Sequence, residues 1–244
     1  MKKLLAFFIF FGLAMSAKAE EFQVVGAEFP PLMYVEQGNP AGLSVELLQM
    51  MLQNLKDVKV NIEFHPVPRL LKVVAENANT FSLSVTRNQE RESQFKWVGP
   101  ICPRTNALFK LKARSDLQIK TLQDLHPYKI GVGRGYAAVN DLLNAGIPKE
   151  QIEEVTEDTQ NVKKLFMQRI DFVATNDLVF AHILKNEGRQ WDEVEQVMIL
   201  DAKYQYYYAF NKETDEKIIQ QFQQALDQVK QSGQYDALLK KYFK

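Results

Sequence analysis

Along the chain, hydrophobic and polar positions switch between two periods. Val58, Val60, Ile62 and Phe64 recur at every second residue, the period of a half-buried strand. Just before them, Leu47, Leu48, Met51, Leu52 and Leu55 recur at three- and four-residue spacing, on one face of a helix that Ser44 can cap. Phe22 to Gly26 reads as a strand stopped by Phe29-Pro30-Pro31, a short helix is predicted around Arg69 to Glu76, and Phe81 to Val85 reads as a further strand. The order β-α-β-α-β is best satisfied by a parallel sheet covered by helices on both faces.

The same order then starts again. Lys129 to Val132 is a strand running into the turn Gly133-Arg134-Gly135 and a helix through Leu143. Ile152 to Val155 reads as a strand, Asp158 to Gln168 as a helix, Asp171 to Thr175 as a strand and Asp177 to Asn186 as a helix. Two βαβ sets in a chain of this size predict two similar lobes rather than one long sheet. Only two extended pieces, Thr105 to Leu111 and Tyr204 to Phe210, can connect them. At the C-terminus, Ile218, Phe222, Ala225, Leu226 and Val229 form the apolar stripe of a helix with Thr214 as its expected N-cap and Gly233 just past its end. A last helix is predicted over Tyr235 to Tyr242.

The N-terminus changes the picture. Met1-Lys2-Lys3 precedes the apolar run Leu4 to Met15, and Ala17 and Ala19 supply the small residues of a cleavage site, the three-part pattern of a secretory signal at residues 1–19. As a helix, that run would span only about 18 Å, short of a ~30 Å hydrocarbon core. The expectation is cleavage before Glu20 and a mature protein outside the cytoplasm. The signal contains three lysines and no acidic residue, so the mature chain carries three more acidic than basic residues. Such a balance gives no electrostatic footprint for nucleic acid. Cys102 is the only cysteine, which excludes an internal disulfide, and between Ile101 and Pro103 it reads as a small buried hydrophobe. His65, His126 and His182 are scattered, so no metal site and no cofactor are expected.

Six segments then fall in one order: Phe29-Pro30-Pro31-Leu32 with Tyr34 and Gly42 to Leu47; Thr86 to Arg91 followed by Phe95 to Pro100; Leu122 to Leu125 before Ile130 to Gly135; Arg169 to Val173; Gly233 to Tyr235; and Lys241 to Phe243. In this order and spacing the chain resembles the periplasmic solute-binding proteins of polar amino-acid transporters, family 3. The resemblance implies an α/β fold of two Rossmann-like lobes joined by two crossing strands, the type II periplasmic binding architecture. It implies a first lobe of residues 20–106 and 208–244 and a second of residues 107–207, with a ligand held between them at the carboxyl ends of the strands.

The resemblance also implies the site: Phe29, Ser84, Thr86 and Arg91 from the first lobe, Gly135, Tyr136, Ala137, Asn176 and Asp177 from the second. A carboxylate needs charge-assisted donors, ideally a guanidinium. Arg91 matches the family's carboxylate-binding arginine, although its spacing from Thr86 is longer than usual and leaves Arg87 as a rival. The turn before Tyr136 opens a helix N-terminus with free N–H groups. Tyr136 replaces the family's usual Thr there. The family's ammonium-binding Asp corresponds to Asn176, with Asp177 beside it; Asp177 equally suits the first turn of a helix. Tyr34, Trp97, Arg69 and the run Tyr204, Tyr206, Tyr207 and Tyr208 are further candidates to line the cleft or hinge. The expected ligand is a small molecule, an amino acid or related carboxylate, and the expected partner is an ABC transporter permease, served by a monomer. An enzyme of cyclohexadienyl or arogenate dehydratase type is the competing reading, with Glu28 and Glu46 the acids nearest the mouth of the first lobe. A free-standing sensory protein is the third.

Overall fold

The computed structural model describes residues 20–243, so the export signal read at residues 1–19 lies outside the described residues. The first half of the chain forms β1 (Glu20–Gly26), β2 (Tyr34–Glu36), β3 (Asn39–Ala41), α1 (Leu43–Leu52), β4 (Val58–Phe64), α2 (Val67–Glu76), β5 (Thr80–Thr86), β6 (Phe95–Pro103) and β7 (Asn106–Leu111). Then come β8 (Ile130–Gly133), α3 (Ala137–Asn144), β9 (Ile152–Val155), α4 (Asp158–Phe166), β10 (Phe172–Asn176), α5 (Asp177–Asn186) and β11 (Val194–Asp201). The chain ends with β12 (Gln205–Asn211), α6 (Glu216–Gln231) and α7 (Gln234–Phe243).

Two five-stranded sheets result, in the orders β4-β1-β5-β12-β6 and β11-β7-β10-β8-β9. Within the first, β1 pairs parallel with β4 and β5, as the βαβ pattern requires, but β12 runs antiparallel to β5 and β6. The second repeats the plan: β8 pairs parallel with β9 and β10, and β7 runs antiparallel to β10 and β11. In each sheet the antiparallel strand is the one that arrives from the other lobe. The two extended pieces predicted as connectors are therefore sheet strands. The crossings themselves shrink to Arg104-Thr105 and Ala202-Lys203-Tyr204.

Burial sorts the faces as the periods predict. The seven residues of β4, at the sheet edge, alternate between half-buried and exposed, whereas every residue of the central strand β5 is buried. Phe22, Phe81, Phe210 and Phe222 pack edge-to-face or stacked, at centroid distances of 4.3–6.2 Å, and fasten α6 to the first sheet. Cys102 is 1% exposed, and burial pushes its thiol pKa up to about 12.

Two predicted caps are corrected. Gly42, at φ 110°, is the N-cap of α1; a Cβ there would lie 2.7 Å from the Leu32 carbonyl oxygen. Ser44 is already inside the helix, donating its hydroxyl to Leu32 O at 2.6 Å. At α6 the N-cap is Asp215, whose carboxylate accepts from Lys217 N at 2.8 Å, while Thr214 is buried beside it. At α1 the packing of the preceding loop against Leu32 sets where the helix begins, whereas at α6 Asp215 is a stronger local cap than Thr214.

Candidate functional site

The carboxyl ends of β5, β8 and β10 face one another across the junction of the lobes and bound a narrow, partly open cavity. Eight of the nine residues predicted for the site line it: Phe29, Ser84, Thr86 and Arg91 from the first lobe, and Gly135, Tyr136, Ala137 and Asn176 from the second. Asp177 does not. It is the first residue of α5, half-buried, and its carboxylate accepts from the Leu178 amide at 2.8 Å. The side chain therefore stays with the helix N-terminus, where a negative charge suits the dipole.

Arg91 is 8% exposed, and its Nη2 donates across the junction to Gly135 O at 3.0 Å. Among the described residues no carboxylate lies within ion-pairing distance of it. Burial, with a further contribution from the Arg104 guanidinium, holds its pKa below the ordinary arginine value, against the pull of Glu90, Tyr206 and Asp141. Arg87, the rival, is committed elsewhere. It grips Glu92 with both Nε (2.8 Å) and Nη2 (2.6 Å) and lies over the Tyr207 and Trp97 rings on the outside of the hinge. Trp97 is tied into the same cluster and Arg69 stays exposed on α2; neither lines the cavity.

Tyr136, in place of the family's usual Thr, does not offer its hydroxyl to the cleft. Gly133 leaves room for its ring, which a Cβ would meet at 2.3 Å, and the hydroxyl is directed into the second lobe toward Asp158. What faces the cavity is the ring, edge-on to Phe29 at 5.1 Å between centroids. Gly135 has φ +74° and brings the turn close to Pro68, which a Cβ would meet at 3.1 Å, so glycine is the residue that makes this approach without strain. Beyond it α3 begins without a side-chain cap, leaving first-turn amides directed at the cavity end. Asn176 caps α5 through Oδ1, which accepts from Leu178 N (3.0 Å) and Val179 N (3.3 Å), and donates Nδ2 to Thr105 O at 3.3 Å.

Other lining residues came without a local sequence signal. Met33, Val67, Leu70 and Leu71 supply an apolar wall. Of the tyrosine run named as a candidate lining, Tyr206 on β12 completes that wall, while Tyr207 points away and Tyr208 is buried in the first lobe. Arg104, on the first crossing, and Asn106, the first residue of β7, also reach the lining. Arg104 is 1% exposed and donates to Asp201 and Asp141, each at 2.6 Å; Asn106 joins Asp141 at 3.2 Å. An outer compartment adjoins the cavity, sharing Val67 and Tyr136 with it, and Glu28 and Glu157 stand there as exposed side chains from opposite lobes. Partial burial, with a contribution from Glu157, raises the Glu28 pKa against a hydrogen bond from Val35 N. Glu46 is bound to Lys241 and Tyr242, away from the cavity.

A model of the bacterial extracellular solute-binding proteins, family 3, matches residues 23–244. A probable histidine-binding protein of Neisseria gonorrhoeae is 24% identical over 222 residues, covering 89% of this chain and 80% of that protein. Among solved structures, a histidine kinase sensor domain with similarity to periplasmic binding proteins superposes with a TM-score of 0.81 at 19% identity, over 91% of this chain and 95% of that one. An ancestral arginine-binding protein bound to arginine gives 0.79 at 22% identity, over 92% and 99%. At such identities the superpositions speak to the fold, two α/β lobes of the type II periplasmic binding architecture.

Proposed function

The chain belongs to the bacterial extracellular solute-binding proteins, family 3, and from that premise we propose that it captures an amino acid or related small carboxylate between its lobes and delivers it to an ABC transporter. One observation carries the ligand class: Arg91 is a buried cation on the cavity wall with no carboxylate partner among the described residues. A buried charge left unpaired is costly, and a ligand carboxylate placed against it would supply the missing partner. The name of the Neisseria relative, a probable histidine-binding protein, points to the same class of solute.

Closure follows from the geometry of the lining. Both lobes contribute to it, so only the closed form contacts a ligand on all sides, and binding shifts the population toward closure. We assign the lobes to residues 20–106 with 208–244 and to residues 107–207; membership of β1, β4, β5 and β6 in one sheet and β8 to β11 in the other supports that division, with β7 joining the second sheet already at Asn106 and β12 joining the first already at Gln205. Export by a cleaved signal would place the protein in the periplasm as a monomer facing an inner-membrane permease. We read the site as one for binding rather than turnover, so incubation with prephenate or arogenate should leave both unchanged.

The test is a thermal-shift screen of residues 20–244 against amino acids and small carboxylates. A ligand at 100 times its Kd adds about 2.7 kcal/mol of stability, a clear rise in melting temperature. The same ligand should produce no rise in Arg91→Ala. If it does, Arg91 is not the anchor.

A further inference from the structure

The polar groups of the inner cavity have a common sign. Arg91 brings a guanidinium without a counterion among the described residues, and the first turn of α3 brings backbone N–H groups. Asn176 is polarised in the same sense. Its carbonyl oxygen already accepts two backbone amides, which fills both lone pairs, so the group it has left to offer is an N–H. Ser84, whose buried Oγ has no hydrogen-bond partner, and Thr86 are neutral. Among the described residues no Asp or Glu lines this cavity. Asp141 and Asp201 lie behind Arg104 and are bound to it, and Glu28 and Glu157 are exposed in the outer compartment, where water screens them. The remaining wall is apolar: Phe29, Met33, Leu70, Leu71 and the Tyr136 and Tyr206 rings.

We infer that the preferred ligand is a carboxylate with an apolar body and no ammonium group, rather than a zwitterionic amino acid. This rests on the reading of the cavity as a carboxylate site. An α-ammonium placed there would be desolvated beside a second cation, with neutral hydroxyls and carbonyls as its only acceptors. Removing the ammonium costs the anionic end nothing, because every donor described above still points at the carboxylate.

Calorimetric titration of the wild-type protein with matched pairs tests this: L-leucine against isocaproate, L-phenylalanine against hydrocinnamate, L-histidine against imidazolepropionate, with L-arginine alongside. The carboxylate lacking the ammonium should bind at least about tenfold tighter than its amino acid in the pairs that bind. Asn176→Asp, which keeps a good N-cap for α5 while adding a negative charge at the cavity wall, should narrow or reverse that preference. An amino acid, L-arginine included, that binds at least as tightly as the deaminated carboxylates overturns the inference and leaves the carboxylate site standing. Failure of the whole panel to bind, or binding that survives Arg91→Gln undiminished, overturns both.

Discussion

Two arginines reach the same cavity from different elements and could hardly be treated more differently. Arg104, on the crossing between β6 and β7, is 1% exposed and held by Asp141 and Asp201 at 2.6 Å each. Arg91, after β5, is 8% exposed and rests on a single backbone carbonyl, that of Gly135. Arg104 ties together α3, the end of β11 and the first crossing, so its charge belongs to the architecture of the hinge. Arg91 reaches across the junction and has no carboxylate partner among the described residues, the feature on which the proposed anion site rests. Burial by itself does not separate a structural charge from a binding one; the state of its partners does.

The comparison can be broken most forcefully at Arg104. Arg104→Met strands two carboxylates that are themselves largely buried, and urea unfolding should show a loss of about 3–5 kcal/mol. Arg91→Met should do the reverse: unliganded stability within about 1 kcal/mol of wild type, but ligand affinity weakened by about 2–5 kcal/mol in titration calorimetry.

Asp158 sharpens the rule from the opposite sign. It is a buried carboxylate on α4 whose oxygens lack a well-formed hydrogen bond; burial raises its pKa to about 7, with only the Tyr136 hydroxyl pulling it down. Because the folded state holds this proton more tightly than the unfolded chain, stability falls as pH rises from about 4 through 7. Asp158→Asn should therefore be the more stable protein at pH 8, by on the order of 2 kcal/mol, with the advantage fading toward pH 4. Unfolding curves across that range would decide it.

The smaller effects concern the neighbouring pair at α5. Asn176→Ala removes the cap and should cost about 1 kcal/mol in denaturant unfolding. Asp177→Asn weakens only a dipole interaction, about 0.5 kcal/mol, and should leave ligand affinity unchanged, since that side chain does not line the cavity.

Much of the fold was legible from periodicity. The alternation at Val58 to Phe64 and the apolar stripe from Ile218 to Val229 matched the observed β4 and α6 because those patterns are local and strong. The edge strands β6 and β11 were not anticipated as strands; Gly99-Pro100 interrupts the first, and the second, with one fully buried residue, carries no clean alternation. Eight of the nine residues assigned to the site through motif order do line one cavity. Nothing in the local sequence marked Arg104, Asn106 or the Leu70-Leu71 wall as their neighbours, because they come from separate segments brought together by the two crossings.

By itself, the sequence determined the alternation of strands and helices, the repeat that makes two lobes, and a chemistry rich in donors after β5 and β8. Those properties reside in short windows, where side-chain period and turn residues act directly on the backbone. Tertiary structure alone decided which arginine has a partner, that the Tyr136 hydroxyl turns away from the cavity, and that the Asn176 carbonyl is used up by α5. Each of these is a competition between neighbours distant in sequence, and competition for a hydrogen bond is settled by distance in space.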